Sequence, residues 1–378
     1  MDLDLTRDQK ILFNSAKEFL KKECSTSLLR EMKDDANGYP PKMWKKMAEL
    51  GWPGVMIPEE FGGMAGNFID LVLLLEAMGE VNCPGPFFST VVLGALPVMN
   101  AGTPEQKKEI LPKIADGAMI MAYAMNEAGI HYDASFVAMP AKADGDAYIL
   151  NGTKLFVENA HIADLILCVA RTEGVPGSKD GLTLFMVDGK SKGVRTSMLT
   201  TLAFDKQCEV VFDDARVDKD RILGRPGKAF EIIETLTEQA ALAKCAEMVG
   251  SAQRAFDQTV AYAKERKQFD KPIGSFQAIQ HHMANMIMDM DGARFMTYRA
   301  AWEMTRDLPS ASMSASMAKA WTGNATHKIA LLAHQIHGAI AFCEELDLHL
   351  HYRRTKAGSL SFGDEDYHLE KVARHLGL

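Results

Sequence analysis

The period of hydrophobic and polar positions changes twice along the chain. From residue 1 to about 120 the apolar residues recur at helical spacing, with Leu12, Ala16, Phe19 and Leu20 on one face. Thr6 and Gln9 stand ahead of that face at the spacing of a capping box. Pro41 suits a first helical turn, and KMWKKMAELG ends on Gly51, a natural helix stop. The paired glycines of IPEEFGG mark a turn, an apolar helix follows over 68–78, and Thr103 with Gln106 opens another in TPEQKKEILPKIADG.

Between 121 and 224 the pattern becomes that of strands. AYAMNEA, DAYILNG, TKLFVEN, DLILCVAR, LTLFMVD and CEVVFDD are short β-branched or aromatic runs between turn residues. Asn151-Gly152 is the strongest hairpin signal, because a two-residue type I′ turn needs positive φ at both centres. Asp144-Gly145 and Asp188-Gly189 serve similarly. Strands at intervals of about ten residues suggest a small barrel or sandwich.

After Gly224 helical patterning returns and continues nearly to Leu378. Its centre is the stretch EMVGSAQRAFDQTVAYAKERKQFDKPIGSFQAIQHHMANM, where Val249, Ala252, Phe256, Val260 and Ala263 mark one buried helical face. Asp270-Lys271-Pro272-Ile273-Gly274 breaks that helix. Just before the break, Arg266, Gln268 and Phe269 gather at the helix end. A forked guanidinium there matches phosphate oxygens, and the alternative is a solvated helix end with one buried Phe. The pattern predicts an α+β protein in three segments: helices over 1–120, a β-domain over 121–224 and helices over 225–378.

Composition narrows the function classes. A chain of 378 residues exceeds the usual single-core size. The net charge of −8 argues against nucleic acid as the main partner. Six cysteines without CxxC spacing read as reduced thiols of a cytoplasmic protein, and the acidic start MDLDLTRDQK lacks a signal-peptide layout. No apolar run reaches the roughly 18 residues of a membrane span. Neighbouring His281 and His282 make a poor chelate on a helix, and His349 with His351 needs an added carboxylate, so no metal site is expected. The sequence has no G-x-G-x-x-G, Walker, G-x-S-x-G or H-E-x-x-H motif. Most of the 23 methionines fall on apolar faces.

The string YAKERKQFDKPIGSFQAIQHHMANM resembles the C-terminal helical domain of the acyl-CoA dehydrogenase family, in which ERxxFGxPIxxFQ recurs. Asp270 stands where that family usually has Gly. IPEEFGG, close to the family's PEEYGG, and TPEQKKEILPKIADG extend the resemblance from end to end. It implies a helical N-terminal domain, a small β-barrel or sandwich, and a C-terminal four-helix bundle. It also implies FAD, with Arg266, Gln268 and Phe269 binding the diphosphate of a cofactor held mainly by a neighbouring subunit. His334-Gln335-Ile336-His337-Gly338 is similar to the family's Q-x-x-G-G, which adds Gln335 and Gly338, with Ala339 for the second Gly.

The same resemblance assigns the flavin-facing residues. The family's YxxTExxxGSD turn reads Tyr123-Ala124-Met125-Asn126-Glu127-Ala128-Gly129-Ile130-His131-Tyr132-Asp133, so Tyr123, Met125, Asn126 and Tyr132 fall beside the cofactor. Asn126 replaces Thr and Tyr132 replaces Ser. The family's K-x-W-I-T-N reads Lys154-Leu155-Phe156-Val157-Glu158-Asn159, which keeps an aromatic at Phe156 and puts Glu158 in place of Thr. A carboxylate there opposes the charge gathered on flavin reduction. Either Glu158 is protonated, or it points away, or no flavin sits against this face.

The family's usual base, the Glu of Y-E-G-T, falls on Phe362 in Ser361-Phe362-Gly363-Asp364. Phenylalanine cannot take a proton. Members that carry the base on an earlier helix use L-x-E-R, which reads Leu236-Thr237-Glu238-Gln239 here. Glu238 is therefore the expected base, with an exposed first-turn carboxylate as the alternative. The implied function is FAD-dependent 2,3-dehydrogenation of an acyl-CoA, with electrons passed to an electron-transfer flavoprotein by a homotetramer or an α2β2 heterotetramer. Two alternatives stay open: a pairing subunit that completes half of a partner's FAD site, and the same fold turned to non-oxidative or oxidase chemistry.

Overall fold

The computed structural model describes residues 4–129 and 131–378; Ile130, within the turn quoted above, lies outside them. The first helices are α1 (Arg7–Glu23), α2 (Thr26–Asp34), α3 (Pro41–Glu49) and α4 (Phe68–Glu80). Thr6 and Gln9 form the expected capping box, Pro41 opens α3, and Gly51 follows α3 in the left-handed conformation. The apolar segment Phe88–Ala95 is a π-helix, buried throughout, and its pattern alone did not announce it. It leads into α5 (Leu96–Ala101), and α6 (Pro104–Ala115) starts on the Thr103–Gln106 capping box.

The β-region is a sandwich. Its strands are β1 (Met121–Ala124), β2 (Ala141–Asp144), β3 (Ala147–Glu158), β4 (Leu165–Arg171), β5 (Leu182–Asp188), β6 (Val194–Leu199), β7 (Gln207–Asp218) and β8 (Ile222–Leu223). One sheet has the order β1-β4-β5-β8 and the other β2-β3-β7-β6. Ala122, Ile166, Cys168 and Phe185 of the first sheet share a buried core with Leu150, Val157, Val210 and Phe212 of the second. The Asn151-Gly152 hairpin does not form. Residues 147–158 make one continuous strand, and the ladder with β7 shifts register between Leu150 and Gly152. Gly152 supplies φ +153 for that bulge, while Asn151 exchanges hydrogen bonds with Asp214 across it. Asp144-Gly145 does turn a hairpin between β2 and β3, whereas Asp188-Gly189 leaves one sheet for the other.

The C-terminal helices are α7 (Phe230–Glu265), α8 (Gln277–Thr305), α9 (Ala311–His337), α10 (Leu348–Leu360) and α11 (Glu365–His375). Between α7 and α8 the helix break is a small hairpin, β9 (Lys267–Gln268) with β10 (Lys271–Pro272). Val249, Ala252 and Ala255 of α7 pack with Met286 and Met290 of α8 and with Ile329 and Ala333 of α9.

The chain groups into two compact units. One holds the N-terminal segment to Arg30, Asn67–Cys83 and Ala241–Leu378; the other holds Glu31–Gly66 and Pro84–Ala240. Within the first unit, buried Glu76 of α4 accepts from Arg294 Nε at 3.0 Å and from Tyr298 Oη at 2.7 Å. Among the described residues no helix is long and apolar enough to cross a membrane, and no acidic, histidine or cysteine cluster could hold a metal ion. His351 is a buried core residue whose Nδ1 meets Ser251 Oγ at 3.0 Å and Asn82 Nδ2 at 3.1 Å.

Candidate functional site

The sandwich joins the two motif stretches 123–127 and 154–158 into one surface. Leu155 N–H donates to Asn126 O at 2.9 Å, and Lys154 Nζ donates to Met125 O at 3.0 Å. Asn126 is exposed and Met125 half-buried beside that seam. A second register shift falls between Lys154 and Val157, and Phe156 there takes φ +56. A bulge re-aims a side chain out of the alternating pattern. The Phe156 ring is accordingly 56% exposed on a strand whose neighbour Val157 is fully buried. Glu158 closes β3, half-buried and in register with Gln207. Tyr132 is half-buried just before Asp133, whose carboxylate accepts from Ser135 N–H at 2.8 Å.

Three charged residues whose roles sequence reasoning missed hold this surface. Lys154 is fully buried, and its Nζ meets Glu127 Oε1 at 2.7 Å. Glu127 also accepts from Ala138 N–H and Met139 N–H, each at 2.9 Å. Burial raises the Glu127 pKa, but the Lys154 charge and these hydrogen bonds outweigh it and hold the carboxyl below its ordinary value. Arg171, at the end of β4, donates to Val137 O at 2.8 Å, Ser135 O at 2.6 Å and Asp180 O at 2.8 Å. Lys154 and Glu127 stood inside the quoted motifs, yet only coordinates show that they meet. Nothing in the sequence marked Arg171. Beside this surface, Asn159 Nδ2 donates to Ser89 Oγ of the π-helix at 3.1 Å; π-turns within helices often mark functional sites.

Arg266, Gln268 and Phe269 lie at and just beyond the C-terminal end of α7, Gln335 and Gly338 at the C-terminal end of α9, and these two helix ends meet. Tyr262, near the end of α7, stacks on His337 of α9 with ring centroids 4.3 Å apart. Arg266 lies one turn beyond Tyr262, and Gly338 follows His337 with φ +69. All five residues are exposed. Phe269 and Asp270 form the two-residue loop of the β9–β10 hairpin with φ +52 and +63. Asp tolerates the left-handed region better than most residues, which accounts for its standing where Gly is usual. The Phe269 ring is 85% exposed, so the reading of a buried Phe at this helix end is overturned.

Glu238 lies in the third turn of α7 and is half-buried, so it is not an exposed first-turn carboxylate. Phe362 occupies a loop held by its carbonyls. Lys319 Nζ donates to Ser359 O at 3.0 Å and Gly363 O at 2.7 Å, and His368 Nε2 donates to Phe362 O at 2.9 Å. Phe362 itself has φ +57, a conformation that needs such outside support in a bulky residue. Asp364 caps α11 by accepting from Tyr367 N–H, and Glu365 and Asp366 sit in its first turn, where the helix dipole favours acids.

The seam fits a flavin. The Tyr123 Oη is buried and, among the described residues, has no hydrogen-bond partner. Burial first, then Cys168 and Glu234, raise its pKa, so the phenol keeps its proton and stays a donor. A buried donor without an acceptor calls for a ligand that brings one. Phe156 adds an exposed aromatic face on β3.

Family models match along the chain: acyl-CoA dehydrogenase N-terminal domain over residues 6–118, middle domain over 122–215 and C-terminal domain over 227–377. The probable acyl-CoA dehydrogenase YngJ of Bacillus subtilis is 32% identical, with 100% of both chains covered. The caffeyl-CoA reductase–Etf complex subunit CarC of Acetobacterium woodii is 31% identical, with 92% of each covered. Among solved structures, butyryl-CoA dehydrogenase of Megasphaera elsdenii superposes with a TM-score of 0.92 at 26% identity, over 100% of both chains. The FAD complex of PigA gives a TM-score of 0.91 at 27% identity, over 100% of both chains. The ChsE4–ChsE5 complex of Mycobacterium tuberculosis gives 0.90 at 25% identity, over 100% of this chain and 99% of that one.

Proposed function

This chain belongs to the acyl-CoA dehydrogenase family of FAD-dependent oxidoreductases, and from that premise we propose that it binds FAD and introduces a 2,3-double bond into an acyl-CoA. The observation that carries the reading is the seam of Met125 and Asn126 against Lys154 and Leu155, which lies beside the exposed Phe156, together with the buried Tyr123 phenol that has no partner among the described residues. Tyr123, Met125, Asn126, Tyr132, Phe156 and Glu158 would hold the cofactor in one subunit. Arg266, Gln268, Phe269, Gln335 and Gly338 would meet the diphosphate from a neighbour. FAD supplies the two-electron acceptor for the hydride leaving the substrate β-carbon. Glu238 would take the proton from the α-carbon, a task for which Phe362 has no basic atom. Electrons would then pass to an electron-transfer flavoprotein, as the CarC complex supports by its name. Six free thiols accord with a cytoplasmic protein.

One observation favours a second reading, the pairing subunit of an α2β2 assembly. The loop that carries the family's usual base is built and clamped here around Phe362, and ChsE4–ChsE5 is a complex of two named subunits. Purification alone and after co-expression with a homologous subunit separates the two. About one FAD per chain, bleached by an acyl-CoA, supports the enzyme. Flavin found only in the co-expressed assembly, at one per two chains, supports the pairing subunit. A colourless protein in both preparations refutes both.

A further inference from the structure

The ion pair Lys154–Glu127 has more partners than packing alone requires. Lys154 lies on β3, two residues before Phe156, and its fully buried ammonium reaches out of that strand to Met125 O and Glu127 Oε1. Glu127 lies one residue beyond Asn126 and passes the connection to Ala138 N–H and Met139 N–H. From the other side Arg171 fastens the carbonyls of Ser135 and Val137. The turn that leaves β1 is thus pinned at both ends, and Leu155 N–H adds a second tie from β3 to its first residues at Asn126 O. A buried ion pair of this kind stabilises little relative to an apolar pair, so what it contributes is a defined geometry.

We propose that Lys154 and Glu127 are positioning residues that lock the two flavin-facing segments into one surface and hold a balanced pair of charges beneath it. The proposal rests on the flavin reading above. Two consequences follow from the charges. Removing the lysine leaves a carboxylate under the surface, which disfavours the extra negative charge of a reduced flavin. Neutralising Glu127 leaves a cation, which favours it. A purely structural role would move both variants the same way.

The test uses the full-length chain in its native assembly. Lys154→Met and Glu127→Gln should each weaken FAD binding by about tenfold, the scale of one lost charge-assisted hydrogen bond. The bound flavin's midpoint potential should become more negative in Lys154→Met and more positive in Glu127→Gln. Lys154→Arg should recover most of the affinity. Because a single unpaired buried charge can unfold a domain, the neutral double variant Lys154→Met/Glu127→Gln is the control. It should keep its fold while amide exchange over 125–139 becomes faster. Potentials that shift in the same direction, or a double variant with wild-type exchange and wild-type FAD affinity, overturn the proposal. The failure of the underlying reading is separate: a wild type that takes up no FAD in any assembly refutes the flavin site, and the exchange data still decide whether the pair locks the turn.

Discussion

Lys319 offers a test of the loop that displays Phe362. It lies on α9, 1% exposed, and spends its hydrogen bonds on Ser359 O and Gly363 O. Burial pulls its pKa from 10.5 down to about 8; Cys245 and Asp364 pull the other way, and Lys244 adds to the depression. Between those two values the unfolded chain keeps a proton that the folded chain has released. Stability therefore rises with pH across the interval, and the cost of the buried charge is fully present below pH 8. With these pKa values the change from pH 7 to pH 10 comes to about 2 to 3 kcal/mol. Lys319→Met removes the titration but leaves two carbonyls without a donor, so its stability at one pH is a poor guide. The difference between wild type and variant is the useful quantity. Urea unfolding followed by circular dichroism at pH 7 and pH 10 should show the wild type gaining about 2 to 3 kcal/mol on the variant. Parallel behaviour of the two proteins, within a few tenths of a kcal/mol, would refute the depressed pKa and the burial argument behind it.

Other predictions concern the proposed chemistry and the helix packing. Arg266→Ala should lower FAD retention on gel filtration, since an arginine–phosphate contact is charge-assisted; full retention removes Arg266 from the cofactor site. Glu238→Gln keeps the side chain's shape, so FAD should stay bound while flavin reduction by acyl-CoA slows by about 10² to 10⁴-fold. Unchanged reduction kinetics would exclude Glu238 as the base. If the chain is a pairing subunit with an otherwise intact pocket, Phe362→Glu should confer acyl-CoA-dependent bleaching that the wild type lacks, and no bleaching counts against that pocket. A Cβ on Gly250 of α7 would collide with the carbonyl oxygen of Glu76 on α4. Gly250→Ala should therefore lower the thermal midpoint, with overpacking of about 1 to 3 kcal/mol exceeding the roughly 1 kcal/mol gained in helix propensity.

Local chemistry made much of the fold legible. Capping boxes at Thr6 and Thr103 depend on residues three apart, so the sequence alone placed those helix starts. The strands of the sandwich showed because their β-branched and aromatic runs end at turn residues; β7 alternates, whereas β4 is buried along its whole length. Family motifs located the candidate residues as letters. What local chemistry leaves open is decided by partners far away in the chain. Asn151-Gly152 has the conformational freedom for a hairpin, but pairing with β7 made it a bulge within one strand. The apolar run 88–95 carries no period that distinguishes a π-helix from a core strand or helix. Lys154 and Glu127 were only letters within the matched motifs and Arg171 was unmarked, because a sequence does not record which charge is removed from water. Only the folded chain buries Lys154 and aims it at a carbonyl and a carboxylate from another strand end, since both the desolvation and the partners that offset it are properties of tertiary packing.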